Sequence, residues 1–199
     1  NLEMPPGTFI FDDPPKHTPY RGLMSRVFTP KKMESLEPQV RELCARTLDP
    51  LVGSGGFDLV AALAADMPMR VIGMLLGIPE EYFRDVREGS DEWFRTEDGK
   101  PKEYDESNSV LRIDVLEEYL DWRIKHPSDD LTTVLVTAEF EDEKGVTRCL
   151  TRDEALVYVN LLAGAGNETT TKLIGWAGKV LADHPDQRRA LVEDPRLIR

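Results

Sequence analysis

Hydrophobic positions recur at helical spacing along most of the chain, and the longest such run begins at Thr151. Thr151-Arg152-Asp153-Glu154 has the form in which a hydroxyl and a carboxylate cap each other's backbone N–H groups. Ala155, Leu156, Val159, Leu162, Ala163, Leu173, Ile174, Ala177, Val180 and Leu181 follow it with a period near that of a helix. This predicts one long helix that ends before His184-Pro185. Upstream, Thr29-Pro30 opens a helix with Leu36, Val40, Leu43, Leu48 and Leu51 on one face, closed by Gly53-Ser54-Gly55-Gly56. Asp58 caps another, carrying Leu59, Leu63, Met67, Val71 and Leu75, with a kink expected at Pro68 and a stop at Gly77 ahead of Pro79. Helices over 80–95 and 103–125 flank the polar link Thr96-Glu97-Asp98-Gly99-Lys100-Pro101. Residues 140–150, turning at Glu143-Lys144-Gly145, predict a short β-hairpin before the long helix. No internal repeat or domain boundary is visible, so residues 1–199 read as a single, mainly α unit.

The long helix breaks its own rules between Leu161 and Thr171. Gly164, Gly166, Thr169, Thr170 and Thr171 are poor helix formers, and each interior glycine costs about 1 kcal/mol relative to alanine. Two readings account for this. In one, Gly166 leaves a notch, Thr169 sets a hydroxyl one turn further on, and Glu168 beside the stripe carries protons. Thr169 and Thr170 then bond the carbonyls of Ala165 and Gly166, which bends a helix or opens its ladder. In the other, the glycines admit a crossing helix, the threonines satisfy themselves, and Glu168 pairs with Lys172 at i,i+4. The residues alone leave both open.

Ala165-Gly166-Asn167-Glu168-Thr169-Thr170 resembles the A-G-x-D/E-T-T/S signature in helix I of the cytochrome P-450 haem-thiolate monooxygenases. Asp13-Pro14-Pro15-Lys16-His17-Thr18-Pro19-Tyr20-Arg21, continuing to Val27-Phe28-Thr29-Pro30, resembles the bacterial family's D-P-P-x-H-x-x-x-R approach to helix C. Between and after them, Leu75-Leu76-Gly77-Ile78-Pro79 looks like the end of helix E, and His184-Pro185-Asp186-Gln187 like the turn into helix J. The resemblance covers essentially the whole chain. It implies part of the cytochrome P-450 fold, from just before helix C to just after helix J, with helices F and G as a lid over the substrate.

What the family carries further on is missing here: an E-x-x-R pair on helix K and a cysteine in a glycine-rich F-x-x-G-x-x-x-C loop. The chain therefore reads as an internal fragment, with the axial cysteine expected downstream of Arg199 and no metal ligand of its own. Cys44 and Cys149 read as structural thiols. For the full-length protein the resemblance implies haem b and insertion of one oxygen atom from dioxygen into a small, hydrophobic organic substrate. By position, His17 and Arg21 would hold a haem propionate, a role that suits an imidazole and a guanidinium one turn apart. Ala165 and Gly166 would let the macrocycle and oxygen approach the helix backbone. Thr169 would hydrogen-bond the oxygen, Glu168 would relay protons, and Leu162 would face the substrate with Trp93, Phe94 and Trp122. The polypeptide alone is expected to bind haem weakly if at all and to be inactive.

Composition narrows the partners. Against 37 acidic residues stand 25 lysines and arginines, a net charge of −12, which argues against nucleic acid. Two cysteines argue against a disulfide framework, and no run approaches the ~20 apolar residues of a membrane span. With no signal peptide at the start, the expected location is cytoplasmic. Yet Lys16, Arg21, Arg26, Lys31 and Lys32 fall between Pro14 and Met33 with no acid among them. Such a patch is an ordinary solvated face or a surface that steers an acidic partner. The resemblance favours the latter, a ferredoxin or flavin reductase delivering electrons, with Arg26, Lys31 and Lys32 docking it and Arg21 turned inward. The rival class is a non-catalytic all-α ligand-binding or regulatory domain. It explains the helices but not His17, Arg21, Glu168 and Thr169 in one family's order.

Overall fold

The computed structural model describes residues 9–94 and 113–198, the stretch 92–94 by its backbone only. A turn at Phe9–Phe11 leads into α1 (His17–Val27), which buries Tyr20, Leu23, Met24 and Val27. Thr29 then caps α2 (Pro30–Leu48) as its place before Pro30 predicts, its hydroxyl accepting the Lys32 N–H at 3.3 Å. Only Leu43 of the expected apolar face is fully buried. Leu36, Val40 and Leu48 are half-buried, so α2 lies at the margin of the core. The Asp58 carboxylate accepts the N–H groups of Val60 and Ala61, at 2.8 and 3.0 Å.

The single kinked helix expected after Asp58 is two pieces, a π-helical turn at Val60–Ala64 and α3 (Met67–Leu76). Pro68 has no N–H to donate and its ring clashes with the carbonyl four residues back, so it lies in the first turn, where neither matters. The restart rotates the buried face. Pro68, Met69, Ile72, Gly73, Leu75 and Leu76 face inward, while Met67 and Val71 of the expected face are half-buried. Gly77 ends α3 at φ 70° as predicted. Side chains from further along the chain satisfy the carbonyls released there. Tyr119 and Thr132 donate to Leu76 O at 2.5 and 2.7 Å, and Arg123 Nη2 donates to Gly77 O at 2.9 Å.

After a single turn at Glu80–Tyr82 come α4 (Phe83–Phe94), α5 (Asp114–Lys125) and α6 (Leu131–Thr137). The expected link 96–101 and the first part of the helix expected over 103–125 lie outside the described residues. The hairpin is present but minimal. β1 (Phe140–Glu141) pairs antiparallel with β2 (Thr147–Arg148), Phe140 opposite Arg148, around a turn in which Asp142 accepts from Lys144 and Val146 N–H and Gly145 takes φ 76°. The predicted long helix, α7 (Arg152–Asp183), has its capping box formed in both directions, and α8 (Pro185–Glu193) follows.

The first half of α7 buries Ala155, Val159 and Ala163 in one core with α1, α3, α4, α5 and α6. The second half departs from expectation. Leu173 and Val180 of the expected face are 68% and 47% exposed, as is Trp176 at 67%, because the side packed there carries Gly175 and Gly178 instead. Among the described residues no helix is long and apolar enough to cross a membrane.

Candidate functional site

Helix α7 runs unbroken through Leu161–Thr171, so the glycines and threonines do not open it. What they do is divide its faces. A Cβ on Gly166 would lie 3.3 Å from Ile72 Cδ1, and one on Gly175 would lie 3.3 Å from Val60 Cγ2, while one on Gly178 would meet Leu59. These glycines form a seam against which α3 and the π-turn pack, running antiparallel to α7. The notch at Gly166 is thus occupied by a crossing helix.

Ala165 and Thr169, one turn apart, lie on the exposed side, with Leu162 half-buried a turn earlier. Thr169 Oγ1 donates to Ala165 O at 2.7 Å, the local bond that its spacing predicts. The parallel bond expected of Thr170 is replaced by one from Thr171 Oγ1 to Asn167 O at 3.0 Å. Glu168 is paired with Lys172 at 2.6 Å. The structure therefore brings Leu162, Ala165 and Thr169 onto one open face, engages Glu168 beside it, and sets Gly166 against α3.

On α1, His17 is half-buried, its ring 6.0 Å from that of Phe9. Arg21 is exposed instead of turned inward, because the inward side of α1 is filled by Tyr20, Leu23, Met24 and Val27. Of the three residues expected to dock a partner, Arg26 donates to Glu139 O at 2.8 Å and Lys32 Nζ lies 3.9 Å from Asp129. Lys31 is exposed and has no ion pair among the described residues. The side chains of Trp93 and Phe94, in the last turn of α4, lie outside the described residues. Trp122 is a surface ring, stacked on His126 at 4.7 Å with the Arg123 guanidinium 4.8 Å from its centre.

Sequence reasoning missed a buried polar cluster at the start of α7. It identified Glu154 as a capping residue. It did not anticipate that Tyr20, 134 residues away, donates to Glu154 Oε1 at 2.8 Å, or that Arg148 grips both carboxylate oxygens at 2.7 and 2.8 Å. Burial alone would raise the Glu154 pKa. Arg148, the Thr151 N–H and Tyr20 outweigh it and bring the pKa down to about 2. Burial and the neighbouring Glu154 push Tyr20 up to about 12, so its hydroxyl remains a donor at any physiological pH. Asn160 was also missed. Fully buried on α7, it accepts the Ile113 N–H at 2.8 Å, fixing the start of α5, and donates to Leu156 O. No periodicity signals the Tyr20–Glu154 and Asn160–Ile113 contacts, since each joins elements far apart in sequence.

No family model matches the chain. Individual proteins do. Cytochrome P-450 CYP107DY1 of Priestia megaterium is 33% identical over 193 residues, 94% of this chain and 44% of that protein. Vitamin D(3) 25-hydroxylase of Pseudonocardia autotrophica is 35% identical over 197 residues, 98% of this chain and 46% of that protein. The fold superimposes on the crystal structure of P450BioI bound to an acyl carrier protein with a TM-score of 0.82 at 28% identity, over 96% of this chain and 49% of that one. The chain thus spans somewhat less than half the length of these curated relatives. Matched along nearly its whole length in both sequence and fold, the chain belongs to the cytochrome P-450 family.

Proposed function

We propose that this chain forms the oxygen-side and propionate-holding part of a haem b-dependent monooxygenase that oxidises a small hydrophobic substrate. The observation that carries the reading is the open face of α7. Within a fold matched to cytochromes P-450 at a TM-score of 0.82, Ala165 and Thr169 are exposed one turn apart. The residues present fit haem. Ala165 offers only a methyl group to a flat ring, and the exposed Arg21 with His17 one turn away supplies N–H donors suited to two carboxylate arms. Bound haem would supply dioxygen activation and transfer of one oxygen atom.

The chain's own residues supply the rest. With its proton on the Ala165 carbonyl, the Thr169 hydroxyl offers lone pairs to whatever lies over Ala165, and turning about χ1 lets it donate instead. Glu168, next in the chain, takes up a proton on leaving Lys172 and passes it toward Thr169. Leu162 keeps that face apolar and contacts the substrate. The vitamin D(3) hydroxylase among the relatives supports a hydrophobic substrate. Electrons would come from a ferredoxin or flavin reductase in the cytoplasm, and a thiolate for the haem iron from residues other than Cys44 and Cys149. Cys44 is on marginal helix α2, and Cys149 is occupied by Thr137 O at 3.6 Å.

The test is the carbon monoxide difference spectrum of the reduced full-length protein. A thiolate-type band is expected there and no such band from the 199-residue polypeptide alone. A full-length protein without the band would overturn the proposal.

A further inference from the structure

The polar cluster at the N-terminal end of α7 has no part in the chemistry just described, yet its bonding is unusually complete. Glu154, 4% exposed, accepts from the Thr151 N–H at 2.8 Å, from Tyr20, and from both terminal nitrogens of Arg148. Arg148 uses its further donor capacity on Asp142 Oδ2 at 3.2 Å, Cys149 O at 3.1 Å and the Tyr20 hydroxyl at 3.1 Å. Its guanidinium lies 5.0 Å from the centre of the Phe140 ring. A capping box needs only Thr151 and Glu154, and an exposed glutamate would serve it. The additional bonds tie α1, the hairpin and α7 to one carboxylate.

Stability alone does not call for this arrangement. Burying an ion pair is commonly no better than packing apolar side chains of the same volume. What the polar version adds is a single geometry. A bidentate guanidinium–carboxylate pair with its donors engaged accepts one placement of the Tyr20 hydroxyl, whereas leucine-like contacts tolerate sliding. Tyr20 lies within one turn of His17 and beside Arg21. Glu154 lies on the same unbroken helix as Ala165, roughly 16 Å along it at 1.5 Å per residue.

We propose that Tyr20, Glu154 and Arg148 are positioning residues: they latch α1 to the start of α7 and so set His17 and Arg21 at a fixed distance from Ala165 and Thr169. The latch rests on the haem reading above. It holds the two ends of one rigid, flat, anionic cofactor's site in register, the propionate donors on α1 and the oxygen face on α7. The cofactor needs both helices in place at once, since an ångström of slip releases one set of contacts.

The experiment uses the full-length, haem-loaded protein and compares Tyr20→Phe and Arg148→Lys with two controls. Thr132→Val removes a buried hydroxyl bond at Leu76 O, outside the cluster, and gives a reference for how haem loss follows lost stability. Tyr158→Phe removes a buried hydroxyl on the ring next to Tyr20 that has no hydrogen-bond partner among the described residues. Each variant is read by its urea midpoint and by the rate at which haem passes to apomyoglobin. Tyr20→Phe and Arg148→Lys should speed haem loss about three- to tenfold beyond Thr132→Val at equal midpoint, and Tyr158→Phe should change neither reading. Arg148→Lys is diagnostic, because it keeps the charge and loses the two-pronged geometry. If haem loss follows the urea midpoint alike in Tyr20→Phe, Arg148→Lys and Thr132→Val, the cluster is structural and the latch is refuted. A wild-type protein that takes up haem and shows the carbon monoxide band leaves the functional reading intact in that event. One that does neither overturns both.

Discussion

The Thr169 hydroxyl already has an acceptor in the Ala165 carbonyl, so the open face of α7 sees its lone pairs first. Removing that hydroxyl should leave the helix intact, because the bond it makes is an optional addition to a ladder that is already complete. In the full-length enzyme, Thr169→Ala is therefore expected to keep consuming oxygen while product per oxygen falls by about tenfold or more and peroxide rises, and Thr169→Ser to stay coupled. Measuring peroxide against product decides it, and tight coupling in Thr169→Ala would take Thr169 off the proton path. Glu154 makes a different prediction. Its folded-state pKa of about 2 lies below its ordinary value, so the stability it contributes is fully present above about pH 5. That stability is lost as pH falls toward 2, roughly 3 kcal/mol at most. Glu154→Gln should flatten the acid limb of the unfolding free energy between those limits, and an unchanged acid limb would show that the carboxylate is not held as described. The two residues also differ in how far the sequence exposes them. Thr169–Ala165 and Glu168–Lys172 are i,i+4 relations that spacing reveals, whereas the Tyr20 contact spans 134 residues and only the fold creates it.

At the scale of elements, glycines act in two distinct ways that a helix-propensity argument treats alike. Gly178 and Gly166 are grooves in α7 into which Leu59 and Ile72 fit, and their φ values are helical. Gly77 is a helix stop in the left-handed region, and a Cβ there would also run into the Asp130 carboxylate. Asp130 lies 3.0 Å from Arg123 Nε, whose N–H is directed at the Tyr119 hydroxyl, so a shift of Asp130 disturbs the whole cap of α3. Gly178→Ala is expected to be close to neutral, since moving the end of the Leu59 side chain offsets the ~1 kcal/mol that alanine adds to a helix. Gly77→Ala should cost about 2–3 kcal/mol and lower Tm by roughly 5–10 °C. Thermal unfolding of the two variants checks this, and equal effects would contradict the separate roles. The stop at Gly77, the cap at Thr29 and the box at Thr151 were legible because end signals are local. The break before Pro68 and the meaning of Gly166 were not. Both depend on which helix crosses α7 and at what height, which a periodic pattern does not encode.

For the molecule as a whole, the question is how a chain with net charge −12 presents its basic residues, because charges not offset by a neighbouring acid do most to steer a partner. The patch drawn from sequence shrinks on that criterion. Lys32 lies beside Asp129, Arg26 keeps its charge while donating to the neutral Glu139 carbonyl, and Lys31 remains exposed with no ion pair among the described residues. The three candidates should therefore separate. Lys31→Glu in the full-length protein is expected to slow reduction by an acidic ferredoxin about two- to fivefold at low ionic strength, to flatten the salt dependence and to leave stability unchanged. Arg26→Glu should do the same and lower stability as well, because the Glu139 carbonyl loses its donor and gains a carboxylate for a neighbour. Lys32→Glu, set against Asp129, falls between them. Stopped-flow reduction across a salt series, paired with thermal unfolding, distinguishes steering from structural damage. Rates and salt slopes identical to wild type in Lys31→Glu would show that electrons arrive at another face, and the basic run between Pro14 and Met33 would then be an ordinary solvated face.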